Sequence, residues 1–408
     1  MAVPNTTVEI GFDLSALGGP FFILDDAVQG VLDNTEYTLG GTLFYDVSER
    51  VRSVSINRGK SRQLDRFTAG GANISFNNLD RAFDPLNASS PYFGQIIPKK
   101  TIKVETAGTP VFYGVVDDWN LNYDISGLSL ASADCVDGFT LLAQRALIAS
   151  TETSQKTGAR INAILDRSEV NWPNSLRDID TGSTTLQADA IEDGTNALEY
   201  LQLVTDSEPG SIFMGSNGFI VFKDRSVAPA SSAVVTFADD GSGVEFNTVQ
   251  VVYGSELLYN YVQVERNNGG TAIVSDSDSI NTYGQQALIE QGLLLNSDSD
   301  ALELANYLLS QYSEPEYRFE SLSVVLEGLS DSDIASVLSL EIGDVARVKF
   351  TPNNTGTQID KYASIIRIDN EIVPKSHRIT FGFQTLDYAS LVLDDLEFGI
   401  LDTGRLGF

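Results

Sequence analysis

The side chains able to do chemistry are few in kind and poorly grouped. One histidine, His377, opens a predicted strand in PKSHRITFGF, and one cysteine, Cys135, lies within another. Nucleophilic catalysis of the serine or cysteine type needs a histidine base oriented by a third group. No spacing selects such partners for His377, and a strand-end histidine is expected to be a turn or surface residue. Cys135 reads as a small buried apolar group. Asp117 and Asp118 beside Trp119 come nearest to a carboxylate pair for glycoside hydrolysis. Nothing selects two carboxylates from the 56 acids, however, and solvated strand-face acids account for them with less assumption. Gly59-Lys60-Ser61 has the last letters of a phosphate loop, but Ser53 and Val54 stand where the earlier glycine belongs.

The runs SDSDSI, NSDSDALEL and LSDSDIASVL gather oxygens. Calcium takes about six to eight of them, and its best-known loop is a D-x-[DN]-x-[DN]-G frame closed by a distal Glu. No run completes the frame. Ser297 with Asp300, and Ser330 with Asp333, instead fit helix capping, in which the hydroxyl satisfies an otherwise unpaired amide. The expectation is therefore no catalytic residue, no metal site, no cofactor and no enzyme.

Charge is the second clue. Across 408 residues, 26 Lys and Arg face 56 Asp and Glu, for a net charge of -30. The basic residues crowd between Arg50 and Lys103, in VRSVSINRGKSRQLDRFTAGGANISFNNLDRAFDP and its continuation, while residues 1–49 have none. Tight nucleic-acid binding draws on net positive surface and is not expected. The start MAVPNTTVEIGFDL lacks the basic and apolar regions of a signal peptide. No apolar run approaches the roughly 18–20 residues of a membrane helix, so no membrane insertion is expected. The expected product is soluble and made in a reducing cytosol.

Periodicity places these residues on elements. Val111, Tyr113, Val115, Trp119, Leu121 and Tyr123 share one parity, the period of a half-buried strand, and GLSLASADCV follows as its partner. Ala346, Val348 and Phe350, then Ile379, Phe381 and Phe383, alternate in the same way. Ala197, Leu201 and Val204 recur at helical spacing before a hairpin, SIFMGSNGFIVFKDR, and Ala301, Leu304, Ala305, Leu308 and Tyr312 form a second helical stripe. Strands near Ile74, 101, 111–123 and 128 are followed, after the helical middle, by strands near Leu322, 345, 362 and 377 in matching order and similar spacing. This order reads as a divergent repeat. The predicted fold is mainly β with a smaller α+β part, two related β-barrel or sandwich units flanking small α+β domains. Boundaries are expected at 1–146 for the first barrel, 147–240 for a small α+β domain with a hairpin, 241–316 for a β-rich connecting domain with a helix, and 317–408 for the second barrel and tail.

The stretch from Val51 through TIKV at 101–104 resembles the N-terminal signature of siphophage minor tail proteins of the tail-hub type. The resemblance continues through GSIFMGSNGFIVFKDR, ALELANYLLSQYSEPEYRFESLSV, SLEIGDVARVKF and the closing LVLDDLEFGILDTGRLGF. Residues 13–47 depart from it as a longer opening loop or hairpin. The resemblance implies a structural virion protein at the distal tip of a long non-contractile tail, assembled in the host cytoplasm. It implies a homotrimeric ring of two barrels per subunit that joins a sixfold tube to threefold tip components and lines the DNA exit path. Implied partners are a distal tail protein, a tape measure protein and tip or fibre proteins. Arg58, Lys60, Arg62 and Arg66 become candidates for the subunit interface, against the alternative of pairing within the chain, such as Arg66 with Asp65 or Arg81 with Asp80 and Asp84. A receptor- or carbohydrate-binding tail-tip module, using aromatic loops such as SSPYFG or SELLYNY, is the alternative function, and a cell-wall-degrading tail enzyme a further one.

Overall fold

The computed structural model describes residues 3–13, 31, 42–125, 127–225 and 233–386. Most of the departing 13–47 segment and the closing LVLDDLEFGILDTGRLGF lie outside the described residues. Numbering strands of four residues or more, the first set is β1 (Thr6–Asp13), β2 (Thr42–Asp46), β3 (Val51–Gly59), β4 (Thr68–Asn77), β5 (Thr101–Thr106), β6 (Thr109–Tyr123) and β7 (Ser129–Val136). The middle contributes helices α1 (Gly138–Ala143), α2 (Thr157–Leu165) and α3 (Ala197–Asp206), then the hairpin β8 (Ser211–Met214) and β9 (Ile220–Lys223). There follow β10 (Val235–Ala238), β11 (Thr248–Tyr253), β12 (Tyr261–Arg266), β13 (Thr271–Ser275), α4 (Ser277–Tyr283), β14 (Ala287–Leu293) and α5 (Asp298–Tyr312). The chain continues with β15 (Tyr317–Val325), α6 (Asp331–Leu338), β16 (Val345–Phe350), β17 (Ile359–Val373) and β18 (Ser376–Thr385).

The helical stripes and the alternation of Ala346 to Phe350 and of Ile379 to Phe383 fall on these elements. In β6 the expected parity holds only after a bulge, with Phe112, Gly114 and Val116 buried before it and Trp119 and Leu121 facing the core after it. Ser297 caps α5 with a reciprocal box: its hydroxyl accepts from the Asp300 amide at 3.2 Å, and its own amide donates to the Asp300 carboxylate at 2.9 Å. Ser330 caps α6, accepting from the Asp333 amide at 3.2 Å. The serine–aspartate runs at these two places are thus helix starts.

A 13-stranded sheet carries the architecture, in the order β11-β15-β18-β17-β3-β4-β7-β6-β5-β1-β2, with β16 on β17 and β10 on β16. The repeat is visible strand by strand. In the first set β3 pairs with β4, β4 with β7, β7 with β6 and β6 with β5; in the second β11 pairs with β15, β15 with β18, β18 with β17 and β17 with β16, all antiparallel. The two long strands, β6 and β17, are each 15 residues. Both are bulged at the equivalent place, β6 between Val116 and Asp118 and β17 between Ile365 and Arg367. A bulge deepens the local twist and re-aims the strand, and in β17 it divides one edge between two neighbours. Residues 359–364 of β17 pair with β16, and residues 367–372 pair with β3 of the first set. The two sets are therefore one sheet, a continuity that the expectation of separate flanking units did not include.

One apolar core runs beneath both sets. Under the first, Phe76 and Phe83 lie with ring centroids 4.4 Å apart and Trp119 stacks on Phe83 at 5.7 Å. Under the second, Phe237 meets Phe381 at 5.8 Å and Phe319 meets Phe350 at 6.0 Å. A smaller core gathers β12 and β14 against α5. Among the described residues no helix is long and apolar enough to cross a membrane.

Candidate interaction site

The basic strip begins on β3, where Val54, Ile56 and Arg58 point inward by alternation and all three are buried. Burying a guanidinium requires an opposite charge and hydrogen bonds. Arg58 Nη1 meets Glu341 Oε1 at 2.8 Å and the Met214 carbonyl at 3.3 Å. Glu341 also accepts from the Ser216 amide at 2.8 Å and the Ile342 amide at 2.8 Å. Burial pushes this carboxyl up, but the Arg58 charge and the two amides outweigh it and hold Glu341 below the usual carboxylate range. One ion pair thus ties β3, the β8–β9 turn and the turn before β16.

The other three candidates lie beyond β3, and each meets a group of its own chain. Lys60 donates to the Gln63 carbonyl at 2.6 Å and sits 4.9 Å from the Phe67 ring centre. Burial pulls its ammonium down to about 8, against the pull of Asp65 and Asp206. Arg62 meets Glu256 at 3.1 Å, with two thirds of its side chain exposed. Arg66 meets Asp206 at the end of α3, Nη2 to Oδ2 at 2.6 Å, and remains half exposed. Burial raises Asp206, opposed by Arg66, and raises Glu290 on β14, reinforced by the Asp206 charge. Lys60, Arg66, Asp206 and Glu290, but not Arg62, line a cleft of about 280 Å³ between the 60–67 loop, α3, β14 and α5. Its cations face its acids, which makes it a joint between parts of the chain. Arg81 pairs with Asp84 at 2.5 Å, as the internal alternative foresaw, whereas Asp80 takes Arg50 at 2.8 Å and Arg66 takes Asp206 in place of Asp65.

The residues considered for catalysis are held apart. Trp119 belongs to the aromatic stack, with Nε1 donating to the Ile97 carbonyl at 3.3 Å, and Asp117 pairs with Lys99. Cys135 is buried, which pushes its thiol up and keeps it unreactive. His377 overturns the surface expectation: it is fully buried, because it shares the inward parity of Ile379, Phe381 and Phe383. Its Nε2 lies 2.9 Å from Asn370 Oδ1, while Nδ1 has no partner, the arrangement of a neutral imidazole donating through Nε2.

Two buried groups give opposing pH dependences. Burial lowers His377 to about 4, against the Glu327 charge, so between that value and its ordinary 6.5 the unfolded chain binds the extra proton. That contribution to stability is present at neutral pH and is lost as pH falls through the window. Asp137 caps α1, accepting from the Phe139 amide at 2.9 Å and the Gly70 amide at 2.6 Å. Burial nevertheless pushes Asp137 up to about 7, the two amides and Arg58 opposing it. Here the folded chain holds the extra proton, so stability is fullest at about pH 4 and is lost as pH rises through 7. The two slopes offset one another in the intact chain. Removing the histidine should expose the aspartate: the stability gap between the chain and its His377→Gln variant is expected to shrink by about 2–3 kcal/mol from pH 7 to 4.5. Urea midpoints at the two pH values measure it, and a gap independent of pH would contradict the assignment.

No sequence-family profile matches the chain, and no curated protein matches it. Solved structures do. The tail protein from Neisseria meningitidis MC58 superposes with a TM-score of 0.59 at 10% identity, over 94% of this chain and 97% of that one. The 43 kDa tail protein of prophage MuSo2 from Shewanella oneidensis superposes with a TM-score of 0.55 at 15% identity, over 84% of this chain and 95% of that one. At such identities the likeness is one of fold, and it spans most of each chain. This chain has the mainly β fold of these two tail proteins.

Proposed function

We propose that the chain is a structural tail protein, a hub at the distal tip of a long-tailed phage. In this reading three copies form a ring that joins the sixfold tail tube to threefold tip components and lines the DNA exit path. The observation that carries it is the pair of strand sets with one topology, joined edge to edge in one sheet. Three copies with two such sets each offer six near-equivalent faces to a hexameric ring, while the whole stays threefold. The two sets are the docking units, one within 1–146 and the other built on 317–408 with β10 and β11 added from 235–253, and the remaining middle parts brace them.

The sheet's outer face suits a DNA path. Across the junction one row of paired residues runs Arg378, Glu371, Ser55, Asn73, Asp134 and Asp118. Beside it Arg367 pairs with Asp369 at 3.0 Å. Small polar side chains with more acids than bases would repel phosphates and let a duplex pass. The same reading takes the distal tail protein, the tape measure protein and the tip or fibre proteins as neighbours. The exposed Arg62 and Arg66 are the members of the basic strip best placed to reach one of them or another copy. Sedimentation velocity tests the ring: three copies are expected, and a monomer that binds glycans would favour the carbohydrate-binding alternative.

A further inference from the structure

We propose that neighbouring copies join by strand pairing, β6 of one copy running antiparallel to β11 of the next, with Tyr123 opposite Val249, Asn122 opposite Gln250, Leu121 opposite Val251 and Trp119 opposite Tyr253. The proposal rests on the ring reading and names the contact that closes it.

The register follows from the repeat. Within the chain, Arg367–Ile372 of β17 pair with Val54–Gly59 of β3, Ile372 opposite Val54, Asn370 opposite Ile56 and Ile368 opposite Arg58. In the first set β6 is the counterpart of β17. Aligned on their bulges, Trp119 takes the place of Ile368, Leu121 of Asn370 and Tyr123 of Ile372. In the second set β11 is the counterpart of β3. Aligned through β15 and β4, Val249 takes the place of Val54, Val251 of Ile56 and Tyr253 of Arg58. The second half of β6 should therefore receive a β11, as the second half of β17 receives β3. Among the described residues no strand lies there: β5 pairs only with residues 109–115 of β6, and β11 ends the sheet.

Burial points the same way. Val54, Ile56, Arg58, Ile368, Asn370 and Ile372 are all buried at the internal junction. Their counterparts Trp119, Leu121, Val249 and Val251 are only half-buried, and Tyr123 and Tyr253 are 50% and 68% exposed. These are apolar or aromatic side chains on open edges. The β11 sequence TVQVVY has no charge and no proline, the devices that keep a free edge from pairing. The two edges stand at opposite ends of the run β11-β15-β18-β17-β3-β4-β7-β6, so an edge of one copy meets the other edge of a second copy. Such a head-to-tail contact generates a ring when the rotation closes.

Cysteine crosslinking tests the register. Asn122 and Gln250 are exposed, and directly opposed residues place their Cβ atoms about 4.5–5.5 Å apart, close enough for a disulfide after small adjustment. Mild oxidation of an Asn122→Cys/Gln250→Cys chain is expected to give covalent oligomers on a non-reducing gel, and neither single variant should. The pair Asn122→Cys/Val252→Cys, one diagonal step away, should link at least about fivefold less. Cys135 is buried and stays out of the reaction. Unlinked N122C/Q250C chains in a protein that still assembles would overturn the strand pairing and leave the ring reading standing. A chain monomeric at every concentration would overturn both. A disulfide closing within one copy would overturn the intermolecular assignment.

Discussion

Arg58→Met is expected to lower stability by about 3–5 kcal/mol, read from urea unfolding at neutral pH, although it removes one surface-like residue from a basic strip. The loss comes from the vacated buried site of Arg58 and from Glu341, which would keep its half-buried charge with no cation beside it. Its two amide donors, Ser216 and Ile342, would remain but cannot supply a full countercharge. The double variant Arg58→Met/Glu341→Gln separates charge from packing. Glutamine keeps an acceptor for one of those amides, and the uncompensated charge is gone, so the double variant should be more stable than Arg58→Met alone. Coupling of this sign between residues 283 apart in sequence is the signature of a direct contact. Additive losses would mean that the pair does not carry the joint.

Gly59→Ala is expected to be comparably severe, at about 3 kcal/mol or more, by a different mechanism. Gly59 has φ +113°, outside the range that an L side chain adopts with ease. An added Cβ would also stand 2.2 Å from the Ile366 carbonyl oxygen and 2.7 Å from the Arg367 Cα. Both contacts are backbone, so no flexible side chain can give way. The strain falls on the β17–β3 junction, and hydrogen exchange should quicken there, at residues 54–59 and 367–372, before it does in β4 or β7. Unchanged protection across the junction would show that the two strand sets are held together elsewhere.

Much of the fold was legible in side-chain alternation. The helical stripes behind Ala197 and Ala301 and the caps at Ser297 and Ser330 are local signals, and each is carried by a local force. The single parity expected from Val111 to Tyr123 holds at Trp119 and Leu121 but not before them, because the bulge after Val116 switches the inward face from Phe112, Gly114 and Val116. The order of strands around the helical middle also exposed the repeat. The continuity of the two sets was not legible, because β17 and β3 meet across some 300 residues of sequence with no local signal linking them. For the same reason the partners of the basic strip were missed: Arg58 finds Glu341, Arg62 finds Glu256 and Arg66 finds Asp206, all remote, where the nearby Asp65 was the obvious candidate.

Two signals were present and undervalued. Arg58 shares the parity of Val54 and Ile56, which already placed it on the buried face, apart from the exposed Arg62 and Arg66. His377 shares the parity of Ile379, Phe381 and Phe383 in the same way. In both cases residue type suggested surface and strand period dictated core, and the period prevailed because a partner from elsewhere in the fold, half-buried Glu341 or buried Asn370, bonds to the polar group. Charge alone could not separate the four basic residues; alternation could.

The function rests on the ring and its place in a particle. Cryo-electron microscopy of purified virions, with the chain located by its sheet and counted, tests this most directly. Three copies are expected in a closed ring at the distal end of the tail, beneath the tube, with the row through Glu371, Ser55, Asn73 and Asp134 facing the channel. A chain absent from the particle, or present as isolated monomers on peripheral fibres, would contradict it.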